Sequence, residues 1–263
     1  MLFFKRAALL ISGIVAGMMS SNTSQALEES WMTFFREDPH GGWIITLDQT
    51  TTSGQRGELG HCARLTYTFG PSQLAENGFP KTEPSQRYYE LEDRICAKLS
   101  NISCRSIASK VGQGKRYVWF CANNGSLVDG AAKVTESFKE FQTTVETAPF
   151  AELRGLHPTN MEAQIAQNEL LLKSLEEEGD IFQRPRKVMH WIYGATAATK
   201  KDISTQLKKL GYTIEETEGD KIVFSRIGRI DRHEFNDETR KLNILCADFG
   251  CMYDGWETAV VRK

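Results

Sequence analysis

Arg184-Pro185-Arg186-Lys187-Val188-Met189-His190-Trp191-Ile192-Tyr193-Gly194-Ala195 opens the stretch whose pattern decides the fold, and Cys251-Met252-Tyr253-Asp254-Gly255-Trp256-Glu257 closes it. Residues 187–195 are an apolar run of strand length. Residues 199–210 then place Ile203, Leu207 and Leu210 on one side of a helix that Gly211 stops. Residues 212–216 and 221–226 read as strands joined by a Glu218-Gly219-Asp220 turn. Asp231-Arg232-His233-Glu234 starts a second helix with a capping-box-like arrangement. Phe235, Leu242 and Cys246 form its apolar stripe, Gly250 ends it, and residues 251–261 make a last strand. The order βαββαβ is that of a ferredoxin-like split βαβ. Such a fold sets its helices on one sheet face. The other face is left for a partner, a neighbouring helix or another domain.

Upstream, residues 156–183 read as a connector helix and linker. Thr159 and Glu162 form a capping box, Met161, Ile165, Leu172 and Leu175 an apolar stripe, and Gly179 a C-terminal stop. Glu176-Glu177-Glu178 is expected to be a solvated acidic face. Residues 27–155 predict a mixed α/β domain with an antiparallel sheet. Strands at 31–36 and 43–50 flank the turn Asp38-Pro39-His40-Gly41-Gly42, and an exposed loop covers 50–60. A strand follows at 62–69, then irregular chain at 70–84. A helix at 84–100 carries Tyr88, Leu91, Ile95 and Leu99 on one face. A hairpin spans 102–111 and 116–122, followed by a short helix over 127–141 and a strand at 143–148. The whole chain is therefore α+β: a mixed α/β domain ahead of a ferredoxin-like domain at 184–263.

The chain has 263 residues, a formal net charge of −2, 25% charged and 40% hydrophobic residues. These values describe a globular protein without the global basic field that draws nucleic acid, so no nucleic-acid partner is expected. Residues 1–26 have the layout of a secretory signal peptide. Lys5 and Arg6 precede an apolar run at 7–19, and Ser24-Gln25-Ala26 sets small residues for cleavage after Ala26. An uncleaved anchor is the alternative, less favoured because the run is short for a membrane span. Either reading puts the body of the protein outside the cytosol, periplasmic or secreted, with no stable membrane insertion once the signal is removed.

Six cysteines suit such a compartment and read first as disulfides. Cys246 lies in the last turn of the second helix of the closing block and Cys251 just past its glycine, so these two are expected to pair. That leaves 3 connectivities for the remaining four; Cys96–Cys104 with Cys62–Cys121 is the favoured one. Zinc held by His61 with Cys62, Cys96, Cys104 and Cys121 is disfavoured, because the spacings match no zinc pattern.

With these residues in view, 160–262 resembles the RraB family, regulators that inhibit ribonuclease E. The likeness rests on Arg184-Pro185-Arg186-Lys187-Val188-Met189-His190-Trp191, the Leu210-Gly211-Tyr212 helix exit, Tyr253-Asp254-Gly255-Trp256, and the preceding Asn168, Leu172, Leu175, Gly179 and Asp180. The N-terminal half is similar to a bacterial domain of unknown function, number 695, often fused ahead of RraB-like domains. Tyr88-Tyr89-Glu90-Leu91-Glu92-Asp93 and Gly114-Lys115-Arg116-Tyr117-Val118 carry that second, less specific likeness. The first resemblance implies binding to ribonuclease E without catalysis. Ribonuclease E acts in the cytosol, however, and this chain starts with an export signal, so fold transfers more readily than partner. The family is known by fold and partner rather than by a catalytic motif, so it supplies no functional residue.

Catalytic motifs are absent from the sequence. His233-Glu234 begins a zinc-protease pattern, but Asp237 stands where the second histidine belongs. Gly114-Lys115 lacks the rest of a phosphate-binding loop. No catalytic residue, metal ligand or cofactor is therefore assigned. His190 and Trp191 fall in a central strand, where a packed histidine is the plainer reading. In Tyr253-Asp254-Gly255-Trp256 the glycine marks a bulge with Tyr and Trp packed, or else the two aromatics form a binding edge. His190, Trp191, Tyr253, Asp254 and Trp256 are the candidate binding surface. Two classes of function remain: a non-catalytic binding or regulatory protein with an unknown protein partner, or an enzyme. The enzyme would assemble its site from scattered groups of the first domain, such as His40 and His61, or in the cleft between domains.

Overall fold

Alternating apolar residues build the first sheet. The computed structural model describes residues 31–49 and 59–262; the expected signal segment and most of the 50–60 loop lie outside them. The chain divides between Pro158 and Thr159 into two compact units.

In the N-terminal unit, β1 (Trp31–Asp38) turns back into β2 (Gly41–Asp48), with β3 (His61–Thr68), β4 (Arg105–Gly112), β5 (Lys115–Ala122) and β6 (Gln142–Thr147) following. They form one antiparallel sheet in the order β1-β2-β4-β5-β3-β6. The first turn is held by Asp38, which accepts from the His40 amide (2.8 Å) and from Trp43 Nε1 (2.7 Å). Helix α1 (Thr82–Lys98) begins ahead of the expected Pro84 and buries Tyr88, Leu91 and Ile95 as its spacing predicts. Together with α2 (Leu127–Thr135) it covers Leu65 and Tyr67 of β3 and Val118 and Phe120 of β5. A short helix α3 (Phe150–Arg154) completes the unit.

The helix expected over 127–141 stops at Thr135. Thr135 Oγ1 and Ser137 Oγ donate to the Ala132 and Val134 carbonyls (2.7 and 3.0 Å), competing with the helical ladder. Tight turns then carry Phe138 and Phe141 into the core, where Phe141 meets Tyr67 edge-on at 5.5 Å.

Cys62 and Cys121 are register partners on β3 and β5 and form a disulfide, with Cα atoms 4.1 Å apart. The other two expected bridges are a correction. Cys96, Cys104, Cys246 and Cys251 are free thiols, with Cys96 hydrogen-bonded to Cys104 and Cys246 to Cys251. At the second pair the helix end is already closed by backbone, since the Cys251 amide donates to the Cys246 carbonyl (2.9 Å).

The C-terminal unit is ferredoxin-like. Its elements are β7 (Arg186–Tyr193), α5 (Ala197–Lys209), β8 (Thr213–Glu218), β9 (Lys221–Gly228), α6 (Arg232–Phe249) and β10 (Met252–Thr258), after the helix α4 (Asn160–Glu177). The antiparallel sheet runs β10-β7-β9-β8. Asp231 caps α6 by accepting from the His233 and Glu234 amides, and Gly250 ends it at φ +66°. Leu210, expected on the buried side of α5, is instead its exposed C-cap. The capping box of α4 forms as read, with Glu162 N to Thr159 Oγ1 at 3.2 Å and Thr159 N to Glu162 Oε2 at 2.7 Å. This helix packs beside α6 on the helical face, as part of the C-terminal unit.

Candidate functional site

Side chains alternate across β7, so Val188, His190 and Ile192 face the helices while Lys187, Met189, Trp191 and Tyr193 face the other way. His190 is fully buried beside Phe224, with ring centroids 5.1 Å apart. Its Nδ1 lies 3.0 Å from the Tyr253 hydroxyl, and its Nε2 lies 3.7 Å from Glu238 Oε1. The carboxylate side favours a proton on Nε2, so Nδ1 accepts from Tyr253. Glu238, from α6, takes a bidentate grip from Arg226 of β9 (2.6 and 2.8 Å) and a further bond from the Tyr212 hydroxyl. Burial pushes His190 down to about 4, against the pull of Glu238, so the ring is neutral at pH 7. Burial also pushes Glu238 up, but the Arg226 bond, the His190 ring and the Tyr212 hydroxyl outweigh it and hold the carboxyl below its ordinary range.

A second set of polar contacts ties α4 to the bulge of β10. Asn168 accepts from Trp256 Nε1 (2.8 Å) and donates to Thr239 Oγ1 (2.9 Å), while Gln164 Nε2 donates to the Tyr253 carbonyl (2.5 Å). The Arg-Pro-Arg-Lys segment is equally structural. Arg186 is buried against Asp180 and also donates to the Ile181 carbonyl (2.7 Å).

The surface expected from His190, Trp191, Tyr253, Asp254 and Trp256 therefore separates. His190, Tyr253 and Trp256 are core residues, because Gly255 (φ +105°) sits at a bulge that turns Tyr253 and Trp256 to the same helical side. Trp191 lies on the opposite face and Asp254 is exposed at the bulge. Gln164 was missed by sequence reasoning, which looked for an apolar stripe on α4, and Asn168 entered it only through the family likeness. Among the described residues no three His, Cys, Asp or Glu side chains gather as a metal-holding group.

Two surfaces among the described residues combine large apolar side chains with charged ones. On the sheet face opposite the helices, Met189, Trp191 and Tyr193 are half-buried, and Ile227 and Met252 are exposed. Lys187 and Glu215 form an ion pair at its margin (2.7 Å). In the N-terminal unit a cavity of about 670 Å³ lies between α1 and strands β1, β2 and β4. Its walls are mostly aromatic and aliphatic, including Trp31, Phe35, Ile44, Tyr88, Tyr89 and Val111. At its inner end Arg116 grips Glu92 through two bonds (2.8 and 3.0 Å). Burial pushes the Glu92 carboxyl up from its ordinary range, against Arg116, which pulls it down.

Residues 165–258 match the family described as Regulator of ribonuclease activity B. The C-terminal unit is RraB-like. The match runs from α4 to the end of β10, so it includes the Asn168 contacts as well as the βαββαβ core of the RraB-like unit. No curated protein matches the chain. Among solved structures, an unknown protein from Galdieria sulphuraria is 14% identical, covering 76% of this chain and 99% of its own, with a TM-score of 0.21. A hypothetical protein is 8% identical, covering 89% and 96%, with a TM-score of 0.19. No helix among the described residues is long and apolar enough to cross a membrane.

Proposed function

We propose that this chain is an exported, non-catalytic regulatory protein whose RraB-like unit binds a protein partner through the sheet face bearing Met189, Trp191, Tyr193, Ile227 and Met252. The observation that carries the reading is the family match at 165–258. The interior of that unit supports it. Its buried His190 bonds to Tyr253, and its Glu238 bonds to Arg226 and Tyr212, so these groups are engaged with one another in the core. The face opposite presents large apolar side chains beside charged ones, a composition suited to an interface. The N-terminal unit is read as the domain of unknown function 695, and the export signal as cleaved after Ala26.

The test is capture from a periplasmic extract with the mature protein as bait, beside an Ile227→Asp, Met252→Asp variant. Both positions are exposed, so the fold is expected to stand. One partner recovered by the natural protein and lost by the variant supports the reading; equal recovery by both overturns the assigned face. N-terminal sequencing is expected to begin at Leu27.

A second reading, ribonuclease E regulation, is favoured by the family match and requires the chain to stay in the cytosol. Cell fractionation that finds the uncleaved chain there, with inhibition of purified ribonuclease E, would replace the first reading. The enzyme reading, with a site in the N-terminal unit, would be supported by turnover that Arg116 or Glu92 variants abolish.

A further inference from the structure

Residues 88–93 and 114–118 are far apart in the chain, yet Tyr88, Tyr89 and Glu92 of α1 meet Arg116 of β5 at one wall of the N-terminal cavity. Strand register explains the rest of the site. Phe35, Ile44, Val111 and Arg116 are successive partners across β1, β2, β4 and β5, so they share one face of the sheet. Helices α1 and α2 cover the β5-β3 half of that face and leave the β1-β2-β4 half as the cavity floor. Phe35 and Tyr89 are each about half exposed, at 50% and 51%.

The inner end of the cavity presents hydrogen-bond donors. Both Glu92 oxygens are taken by Arg116 Nε and Nη2. The same guanidinium lies over the Tyr88 and Tyr89 rings (4.4 and 5.1 Å), and its two bonds to Glu92 leave Nη1 out. The Asn77 carbonyl oxygen accepts from the Phe79 amide (3.2 Å), leaving its NH2 group, and the nearly buried Ser109 hydroxyl also lines the cavity. Spare donors in an aromatic-walled space of this size suit a small ligand with a flat apolar body and an acceptor head.

We propose that this cavity binds a small flat apolar molecule bearing one carboxylate, with its body between Tyr89 and the Phe35–Ile44 floor and its carboxylate accepting from Arg116 Nη1. Glu92 limits the affinity, because it already neutralises the guanidinium that the ligand must share. The site lies within the N-terminal unit and rests on different residues from the sheet face assigned to a protein partner.

Isothermal titration of the full mature protein with 1-naphthoate, and with 1-naphthylmethylamine as the matched cation, tests this. Saturable one-to-one binding of the naphthoate is expected, with the amine at least tenfold weaker. The Phe35→Ala, Tyr89→Ala variant is expected to weaken naphthoate at least tenfold with an unchanged circular dichroism spectrum, both side chains being half exposed. Glu92→Gln frees the guanidinium and is expected to tighten naphthoate severalfold while leaving the amine weak. No saturable naphthoate binding, equal binding of the amine, or binding indifferent to loss of Phe35 and Tyr89 would each overturn the assignment. Capture of a protein partner by the RraB-like unit is measured separately, so either proposal can fail alone.

Discussion

His190 shows how a residue that looks chemical in sequence becomes structural in the fold. Its ring is held neutral mainly by burial, among Glu238, Arg226, Tyr212 and Tyr253. An unfolded histidine titrates near 6.5, whereas this one titrates at about 4. Between those values the unfolded chain binds the extra proton, so stability is fully present above about pH 6.5 and is lost as pH falls towards 4. The loss from this group is about 2 kcal/mol between pH 7 and pH 5. Glu238, held below its ordinary range, adds its own loss at lower pH. Urea unfolding of the RraB-like unit, followed by peptide-resolved hydrogen exchange at both pH values, is expected to show this drop. His190→Gln should flatten it while lowering stability at pH 7; an equally steep drop in the variant would refute the assignment. Asn168 makes a second prediction at this scale. Asn168→Ala leaves Trp256 Nε1 and the Thr239 hydroxyl without this partner, which costs about 1–3 kcal/mol. The same unfolding measurement reads it, and Asn168→Asp, which keeps the acceptor for Trp256, should recover part of the loss.

Among the elements, Gly112 is where two strands demand the least side chain. It ends β4 at φ +159°, and a Cβ there would stand 2.3 Å from the Gly42 carbonyl oxygen of the β1–β2 hairpin. Gly112→Ala must therefore push β4 away from β2, at a cost of about 1–3 kcal/mol. A lowered Tm of the N-terminal unit is the expected result, and an unchanged one would show that the strands yield freely. Close approach of this kind was not legible in sequence, because it depends on which strands become neighbours. The elements themselves were legible wherever a periodic pattern ended in a glycine or a cap, as with α6 between Asp231 and Gly250. Helix α2 was over-extended, because Phe138 and Phe141 fit a helical period while Thr135 and Ser137 divert its carbonyls. The cavity was legible only in fragments. Tyr88, Tyr89, Glu92 and Arg116 stood out as two segments, and nothing local in the chain announces that β5 lies beneath α1. The polar side of α4 was hidden for a related reason: Gln164 and Asn168 look like surface residues until Tyr253 and Trp256 turn inward at the bulge to meet them.

For the molecule as a whole, the cysteines connect fold to stability. The expected bridges differ in how much chain they would constrain, and the one that forms, Cys62–Cys121, closes the long span of 59 residues. It ties β3 to β5, neighbouring inner strands of the N-terminal sheet, across α1 and the β4–β5 hairpin. In the chain-entropy account a loop of that length destabilises the unfolded state by about 4 kcal/mol. In the folded state the two strands are already paired along their length, so removing the sulfurs leaves the register in place. Cys62→Ala, Cys121→Ala is therefore expected to keep a native circular dichroism spectrum. It should lower the urea midpoint of the N-terminal unit by an amount equivalent to about 2–4 kcal/mol. Adding reductant to the natural protein should reproduce that shift, and reductant should do nothing further to the variant. A natural protein whose midpoint ignores reductant would show that this bond adds no stability. The register of β3 and β5 would then rest on their ladder pairing and on the packing of Leu65, Tyr67 and Phe120.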